Sequence, residues 1–158
     1  MILYHGSNVD IGSIDLSHSG VGKDFGCGFY LTASKEQAER MGLRKSRLYG
    51  GERVVSSFEF DEKAAREAGM SIKVFESYSK EWADFILANR NNDARTQIHD
   101  FDIVYGPVAN DDVGYQIRRL SAGMITIETF LEELKYKEGI TYQYFFATER
   151  SVQFLKKL

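Results

Sequence analysis

The segment KDFGCGFYLT, residues 23–32, places two glycines around Cys27 and then continues as a run of aromatic and aliphatic residues. Glycine at such positions permits a positive φ angle or the close approach of another backbone or a ligand. Phe29 to Thr32 suits a buried strand, so the Tyr30 ring follows directly on a glycine-rich turn. Two interpretations stay open for Tyr30, since aromatic residues in strands usually pack in a core, but this ring can also stack on a planar ligand.

The chain opens with a second short motif, LYHGS at residues 3–7. Ile2 to Tyr4 is apolar enough for a buried strand that runs into His5 and Gly6. A histidine at a strand end can hydrogen-bond to a sugar hydroxyl, and the neighbouring glycine exposes its backbone N–H and C=O to a planar amide. The alternative is a turn that carries a surface histidine.

The chain has 43% hydrophobic and 13% aromatic residues, which is typical of an ordered protein. Its length of 158 residues predicts one domain spanning residues 1–158. A domain that relies on phosphate contacts is usually basic, whereas the formal net charge here is −3, so nucleic-acid binding requires a local patch. The single cysteine excludes an internal disulfide and favours a reducing compartment. No stretch approaches the ~18 apolar residues of a membrane span, and the start lacks a basic leader. We therefore expect a cytoplasmic protein with no membrane partner.

A helix is predicted directly after the aromatic strand. Ser34 can cap its first turn, and Gln37 at the third helical position completes a capping box. The apolar residues that recur on one face of this helix, and that we expect to point inward, are Ala38, Met41 and Leu48.

Turn and cap signals place the later elements. The first of them are a strand with Val54, Phe58 and Phe60 inward, a short helix from Asp61 to Gly69, a helix after Ser79 with Trp82, Phe85 and Ile86, and a strand from Phe101 to Tyr105 closed by Gly106-Pro107. The last are a helix capped by Asp111 or Asp112 with Val113, Ile117 and Leu120, a helix from Thr126 to Gly139, a strand from Tyr142 to Ala147, and a final helix capped by Thr148 with Val152 and Leu155 inward. Strict alternation of strands and helices is absent, which predicts an α+β domain with small packed sheets.

Taken together, the motifs LYHGS and FGCGFY resemble the poly(ADP-ribose) polymerase-like branch of the ADP-ribosyltransferase superfamily. In that branch a strand ends in His-Gly-Ser, and a later Gly-x-Gly-x-Tyr segment precedes a helix start with Ser-Lys, which Ser34-Lys35 supplies here. The chain also resembles a family of bacterial domains in the same superfamily. The segments that carry this second resemblance, which covers nearly the whole chain, are Gly28 to Thr32, Gly106 to Ala109 and Tyr142-Gln143.

The resemblance implies an ADP-ribosyltransferase-like fold, in which two small, packed, mainly antiparallel sheets flanked by helices form a cleft for NAD. NAD is consumed as a co-substrate, and no metal is expected because the three histidines share no metal-ligand spacing. By resemblance, His5 holds a ribose hydroxyl, the Gly6 backbone binds the nicotinamide carboxamide, and Tyr30 stacks on the nicotinamide ring. The other residues expected to bind NAD are Ser7, Phe25 and Gly28.

The third signature position of such enzymes lies on a late strand, where Gln143 is the matching residue. Polymerising members carry glutamate there. Glutamine can hydrogen-bond to a ribose hydroxyl, but it cannot carry the negative charge that stabilises an oxocarbenium-like transition state. Chain elongation should therefore be poor, while a single transfer stays feasible through orientation of NAD. The expected catalytic residues are His5, Tyr30 and Gln143; Asp111 and Asp112 either supply a carboxylate or cap a helix.

The leading hypothesis is a mono-ADP-ribosyltransferase that transfers ADP-ribose from NAD to an unknown protein or nucleic-acid acceptor and releases nicotinamide. A role as a toxin, with an antitoxin partner, fits a small bacterial domain of this kind. The alternatives are an NAD glycohydrolase and a non-catalytic module that binds NAD or a protein. A basic cluster either attracts the NAD pyrophosphate or an anionic acceptor, or forms a solvated helix face; its members are Arg40, Arg44, Lys45, Arg47 and Arg53.

Overall fold

A computed structural model describes residues 1–158 and contains seven strands and six α-helices. The strands are β1 (Ile2–Ser7), β2 (Phe29–Leu31), β3 (Val54–Phe60), β4 (Ile72–Val74), β5 (Ile103–Pro107), β6 (Tyr142–Phe146) and β7 (Leu155–Lys157). The helices are α1 (Lys35–Tyr49), α2 (Glu62–Glu67), α3 (Lys80–Arg90), α4 (Asp111–Ser121), α5 (Ile127–Leu134) and α6 (Glu149–Val152), with one 3₁₀ turn at Leu16–His18. None of these helices combines the length and apolarity needed to span a bilayer.

The seven strands form two sheets. Sheet 1 has the order β1-β3-β7 and is antiparallel throughout. Sheet 2 has the order β2-β6-β5-β4, and only its β4–β5 pair is parallel. An isolated bridge between Tyr4 and Thr32 links β1 to β2 and so connects the two sheets. The expectation of an α+β domain with two mainly antiparallel sheets and flanking helices is confirmed.

Two clusters of buried apolar residues hold these layers together. The first joins sheet 2 to helices α3, α4 and α5, and its bulkiest fully buried side chain is Trp82. Its indole Nε1 donates to the carbonyl oxygen of Pro107 at 3.2 Å, so the one polar atom of this side chain is satisfied. The second cluster draws residues from β1, β2, β3, β5 and β6, so it fills the space between the sheets.

Most predicted helix starts are confirmed, because a local hydrogen bond defines each of them. A side chain just before the helix accepts a hydrogen bond from a backbone N–H in the first turn, which the helix itself cannot pair. The predicted residues that cap helices in this way are Ser34, Asp61, Ser79, Thr126 and Thr148.

Two details of helix capping differ from the prediction. Helix α4 is capped by Asn110, so the prediction of Asp111 or Asp112 as the cap is wrong; both lie in the first helical turn. The capping box expected at the start of α1 is incomplete. The Gln37 side chain does not reach back to the cap residue, because its Oε1 accepts the Thr32 hydroxyl at 2.8 Å.

The inward face of helix α1 was predicted only in part. Ala38 is buried as predicted, whereas Met41 and Leu48 are exposed and Gly42 is buried. The helix lies so close to β1 that a Cβ atom added to Gly6 would stand 1.8 Å from the Ala38 carbonyl oxygen. Small residues permit this approach, and a search for periodic large apolar residues does not detect it.

Two short strands were missed in the rest of the chain, and two helix ends were mispredicted. Strand β4 was missed, and its three residues pair with the edge of β5. The final helix ends at Val152 instead of including Leu155, which begins β7 and pairs with Phe60 of β3. Helix α5 ends at Leu134, not at Gly139. Three-residue strands are too short to show a period, and they form here because a neighbouring strand offers hydrogen-bond partners.

Candidate functional site

Strands β1 and β2 separate beside the Tyr4–Thr32 bridge and leave a gap between their backbones. At the bridge each residue donates its N–H to the other's carbonyl oxygen, at 2.7 and 2.9 Å. One side chain spans the gap beyond it, since His5 Nδ1 lies 2.7 Å from the carbonyl oxygen of Tyr30. We call this gap, bordered by His5, Gly6 and Tyr30, the notch. It brings together the two sequence motifs that were expected to form one site.

Gly6 directs both of its backbone polar groups into the notch. Alternate residues of an antiparallel strand point their N–H and C=O to opposite sides. The N–H and C=O of Tyr4 point toward β2, where they bond to Thr32. Those of His5 point the opposite way, toward β3, and those of Gly6 point toward β2 again. Neither group of Gly6 forms a hydrogen bond outside the strand ladder. A buried residue therefore presents one free donor and one free acceptor, the pair that a carboxamide requires.

His5 is held as a neutral imidazole with a defined proton position. Its Nδ1 must carry the proton, because the Tyr30 carbonyl oxygen can only accept. The ring stacks on Phe29 with centroids 4.6 Å apart, and Lys45 Nζ lies 3.5 Å from Nε2. Burial, followed by the positive charge of Lys45, lowers the pKa of His5 to about 4. Near neutral pH, Nε2 is consequently an acceptor for a donor such as a ligand hydroxyl.

Tyr30 anchors the glycine-rich turn that precedes β2. Its hydroxyl donates to the Gly26 carbonyl oxygen at 2.7 Å and accepts the Phe25 N–H at 3.0 Å. Its half-buried ring packs against Phe145, with centroids 4.8 Å apart, and Lys23 Nζ stands 5.3 Å from the ring centroid. The Tyr30 ring therefore packs against the core, which is the first of the two interpretations given for this residue from the sequence. A ligand that stacks on the ring face under Lys23 must displace that lysine.

Replacing Tyr30 with phenylalanine is expected to lower the free energy of unfolding by about 1–3 kcal/mol, because it leaves the buried Phe25 N–H and Gly26 carbonyl unpaired. Urea denaturation followed by circular dichroism measures the change. Tyr115→Phe is the matched control, since Tyr115 is exposed and its hydroxyl makes no hydrogen bond within the protein. Equal stability of Tyr30→Phe and the wild type would contradict the anchoring role.

Gln143 occupies the same face of sheet 2 as Tyr30. Tyr30 pairs with Phe145 on β6, and Gln143 lies two residues before Phe145, so their side chains leave the sheet on one side. The Gln143 side chain makes no hydrogen bond within the protein, and its Nε2 is buried without a partner. Buried amide groups are normally paired, so this donor is available for a ligand.

Phe25, expected to bind NAD, is placed in the core instead. Its side chain is fully buried, and it stacks at 6.4 Å from the Tyr30 ring. Its N–H is bonded to the Tyr30 hydroxyl and its carbonyl oxygen to His99 Nε2 at 2.8 Å. Because side chain and backbone are both occupied, Phe25 supports Tyr30 from behind and has no free group for a ligand.

Gly28 and Ser7 also serve packing in the structure. A Cβ atom on Gly28 would stand 2.4 Å from the Phe145 ring, and its N–H donates to Ser19 Oγ at 2.9 Å. Ser7 is buried at the end of β1, where its carbonyl oxygen lies against Gly42 of α1. The glycine after Cys27 is therefore required by the close contact between β2 and β6, and its N–H is not free for NAD.

Asp111 and Asp112 are exposed in the first turn of α4, beyond the end of β5. Asp112 forms an ion pair with Lys137 at 3.0 Å, and neither aspartate contacts a residue of the notch. No group of three or more histidine, cysteine, aspartate or glutamate side chains is arranged to hold a metal ion.

Two lysines lie beside the notch: Lys23, over the Tyr30 ring, and Lys45, beside His5. Lys23 was not predicted to be a site residue, and Lys45 was considered only as a member of the basic cluster, because their positions depend on the packing of α1 and of the loop before β2. Two shallow surface depressions lie elsewhere. One, of about 400 Å³, is between α5 and the loop at Ser77 and Tyr78, and the other, of about 370 Å³, is on α1.

The structure thus defines a small α+β protein in which the His5 side chain and the Gly6 backbone on β1 face the backbone of Tyr30 on β2. Residues 1–157 match the family model described as "Protein of unknown function (DUF3990)", and the chain belongs to this family. No curated protein matches the chain significantly.

Proposed function

We propose that the protein is an NAD-dependent mono-ADP-ribosyltransferase with an ADP-ribosyltransferase-like fold, and that the notch binds the nicotinamide end of NAD. The observation that carries the proposal is the register of β1: Tyr4 bonds to Thr32, so by strand alternation the N–H and C=O of the buried Gly6 face β2, where no hydrogen bond to them is formed. A primary carboxamide has one acceptor oxygen and an N–H donor on the same edge, so it can complete both hydrogen bonds at once.

The two residues beside Gly6 supply complementary contacts. Neutral His5 presents Nε2 as an acceptor for a ribose hydroxyl once the Lys45 ammonium, 3.5 Å away, has moved aside, while its Nδ1–H stays bonded to β2. The Tyr30 ring offers a face for the pyridinium ring once Lys23 has moved aside. A cationic ring over an aromatic face is favourable, and the leaving nicotinamide is neutral. This contact therefore favours the binding of NAD and the departure of the neutral product, and it does not itself lower the barrier to breaking the bond to ribose.

The reaction breaks the bond between nicotinamide N1 and ribose C1′, and the electron pair leaves with nicotinamide. A nucleophilic atom of the acceptor then bonds to C1′ and releases its proton to solvent. Gln143 supports this step through its unpartnered Nε2 and its amide oxygen, which can hold ribose hydroxyls in place. It carries no charge, so it cannot stabilise the oxocarbenium-like state as a carboxylate does. A single slow transfer is therefore the expected outcome, not polymer growth.

Removing the Gln143 amide is expected to reduce nicotinamide release from NAD roughly 10- to 100-fold, because one positioning contact to the ribose is lost. The measurement is nicotinamide formation by chromatography with labelled NAD and a cell lysate, for wild type and Gln143→Ala. Gln153→Ala is the matched control, since Gln153 is exposed beyond α6. Equal release by the wild type and Gln143→Ala, or no release by the wild type, would count against the proposal.

The products separate the proposed activity from its two alternatives. Label on a macromolecule identifies a transferase, and free ADP-ribose without a labelled macromolecule identifies an NAD glycohydrolase. Calorimetric binding of NAD with neither product identifies a binding module that retains the notch without turnover.

A further inference from the structure

Two ammonium groups lie beside the notch without a carboxylate partner. Lys45 Nζ stands 3.5 Å from His5 Nε2, and Lys23 Nζ stands 5.3 Å from the centroid of the Tyr30 ring. The salt bridges of the protein involve other lysines. Asp24, the carboxylate next to Lys23 in the chain, is paired with an arginine of α3 at 2.7 Å. The notch is therefore flanked by two positive charges that the protein itself does not neutralise.

The two lysines lie close enough for their charges to act on each other. Partial burial of the ammonium groups lowers the pKa of Lys23 and of Lys45, and the charge of Lys23 lowers the pKa of Lys45 further. The charge of Lys23 also adds to the effects of burial and of Lys45 on the pKa of His5. Desolvation and like-charge repulsion both oppose this arrangement, and an anion bound by both ammonium groups would relieve the repulsion.

Lys45 differs from the three arginines of α1 in its direction. Because the helix has about 3.6 residues per turn, Arg40, Arg44 and Arg47 project from other sides of it than Lys45 does. These arginines line the separate depression on α1, whereas the Lys45 ammonium group reaches His5. Lys45 is thus the residue of the basic cluster that can act in the notch.

The proposed ligand carries its anions where the two lysines need them. In NAD the diphosphate is joined to the nicotinamide ribose through a methylene group, so it lies one sugar away from the ring. Binding of NAD in the proposed way displaces Lys45 from His5 and Lys23 from Tyr30, and both flexible side chains can then turn to the phosphates. The pyridinium ring is a cation, which two unneutralised ammonium groups would repel. A diphosphate next to that ring removes this obstacle.

We propose that Lys23 and Lys45 form the subsite for the diphosphate of NAD, in which each ammonium group leaves its contact in the free protein and binds a phosphate oxygen. This inference rests on the proposed function, because the notch and the subsite hold two parts of one ligand. The same two side chains cover the notch when it is empty and hold the ligand when it is bound. Lysine suits this exchange, since it binds phosphate as a flexible point charge.

The test compares two fragments of NAD. ADP-ribose carries the diphosphate but no nicotinamide, and nicotinamide riboside carries nicotinamide but no phosphate. Calorimetry measures the first and NMR titration the second, with wild type and Lys23→Gln/Lys45→Gln. ADP-ribose should bind the variant roughly 10- to 100-fold more weakly, because two charge-assisted contacts are lost. Nicotinamide riboside should bind the variant at least as tightly as the wild type, since its cationic ring no longer meets the ammonium groups.

The matched control is Lys135→Gln/Lys156→Gln, which removes the same charge from two exposed lysines. Lys135 Nζ lies 5.5 Å from the centroid of the Tyr136 ring, a contact similar to that of Lys23. This control should bind ADP-ribose as the wild type does. Lys23→Arg/Lys45→Arg retains both charges and should keep most of the affinity.

A further measurement needs no variant. Added salt should weaken the binding of ADP-ribose to the wild type, because it screens the phosphates from the ammonium groups, and it should not weaken that of nicotinamide riboside. The proposal is overturned if ADP-ribose binds the glutamine variant as tightly as the wild type, or if the control loses as much affinity. An equal loss for nicotinamide riboside, or salt-independent binding of ADP-ribose, would also overturn it.

The two proposals fail separately. If ADP-ribose binds through the two lysines but nicotinamide riboside does not bind and NAD is not consumed, the proposed activity fails and the diphosphate subsite stands. If nicotinamide is released from NAD and the binding of ADP-ribose does not depend on the two lysines, this inference fails while the proposed activity stands.

Discussion

Replacing Gly6 with alanine is expected to prevent the native packing of α1 on β1 and to destabilise the protein by at least about 3 kcal/mol. The added Cβ would lie 1.8 Å from the Ala38 carbonyl oxygen and 2.7 Å from the Gly42 nitrogen, both backbone atoms. A flexible side chain can turn away from such a contact, but a helix backbone can only move as a unit. Since α1 is the main helical neighbour of β1, its displacement would also disturb the notch.

The measurement is the midpoint of thermal unfolding by circular dichroism, together with the yield of soluble protein. Gly12→Ala is the control, because nothing lies within 4 Å of the position its Cβ would take and the residue is exposed. A variant at Gly6 that unfolds at the wild-type temperature would show that α1 and β1 are not in the contact described. Because folding is affected, this variant does not test the binding of NAD.

Lowering the pH from about 6.5 to about 4 is expected to destabilise the protein through His5 by up to about 3 kcal/mol. The unfolded chain takes up a proton on His5 near pH 6.5, whereas burial and Lys45 hold the folded pKa at about 4. Between these values the unfolded state binds more protons, so its free energy falls relative to the folded state. Above pH 6.5 the imidazole is neutral in both states, and this contribution to the pH dependence vanishes.

Urea unfolding of wild type and His5→Gln across pH 4 to 8 isolates this contribution. Burial also lowers the pKa of His99, and that effect is common to both proteins, so the difference between their two profiles reports on His5. The profiles should converge toward pH 4, since the wild type loses stability there and the variant has no titrating group at this position. Parallel profiles would contradict the buried, neutral state of His5.

Local signals in the sequence predicted most of the fold. Ser34, Asp61 and Ser79 cap helices through hydrogen bonds from backbone N–H groups three positions later in the chain. A few neighbouring residues are therefore enough to predict where these helices begin. The inward side of β3, with Phe58 and Phe60 buried, followed from simple alternation. The same alternation does not predict β4 or β7, because each is only three residues long and depends on a partner strand distant in the chain.

The candidate site was predictable in part. The two motifs could be paired from their resemblance to a known superfamily, and the structure places His5 against Tyr30. The direction in which Gly6 points its N–H and C=O depends on the register of β1 with two other strands, which no local pattern encodes. Phe25 and Gly28 were predicted to contact NAD. The sequence did not reveal that the Phe25 side chain is buried in the core and that Gly28 lies directly against Phe145 and Phe146 of β6.

The tight contact between Gly6 and Ala38 restricts how a ligand can enter. Strand β1 cannot move toward α1, because the two backbones are already in close contact at Gly6. The hydrogen bond from His5 to Tyr30 also holds β1 to β2, so the two strands cannot separate to admit a ligand. Lys23 is an exposed side chain that lies over the Tyr30 ring from one side. The proposed stacking of a flat ring on Tyr30 would therefore require only a rotation about the Lys23 side-chain bonds, a picosecond-to-nanosecond motion, with both strands in place.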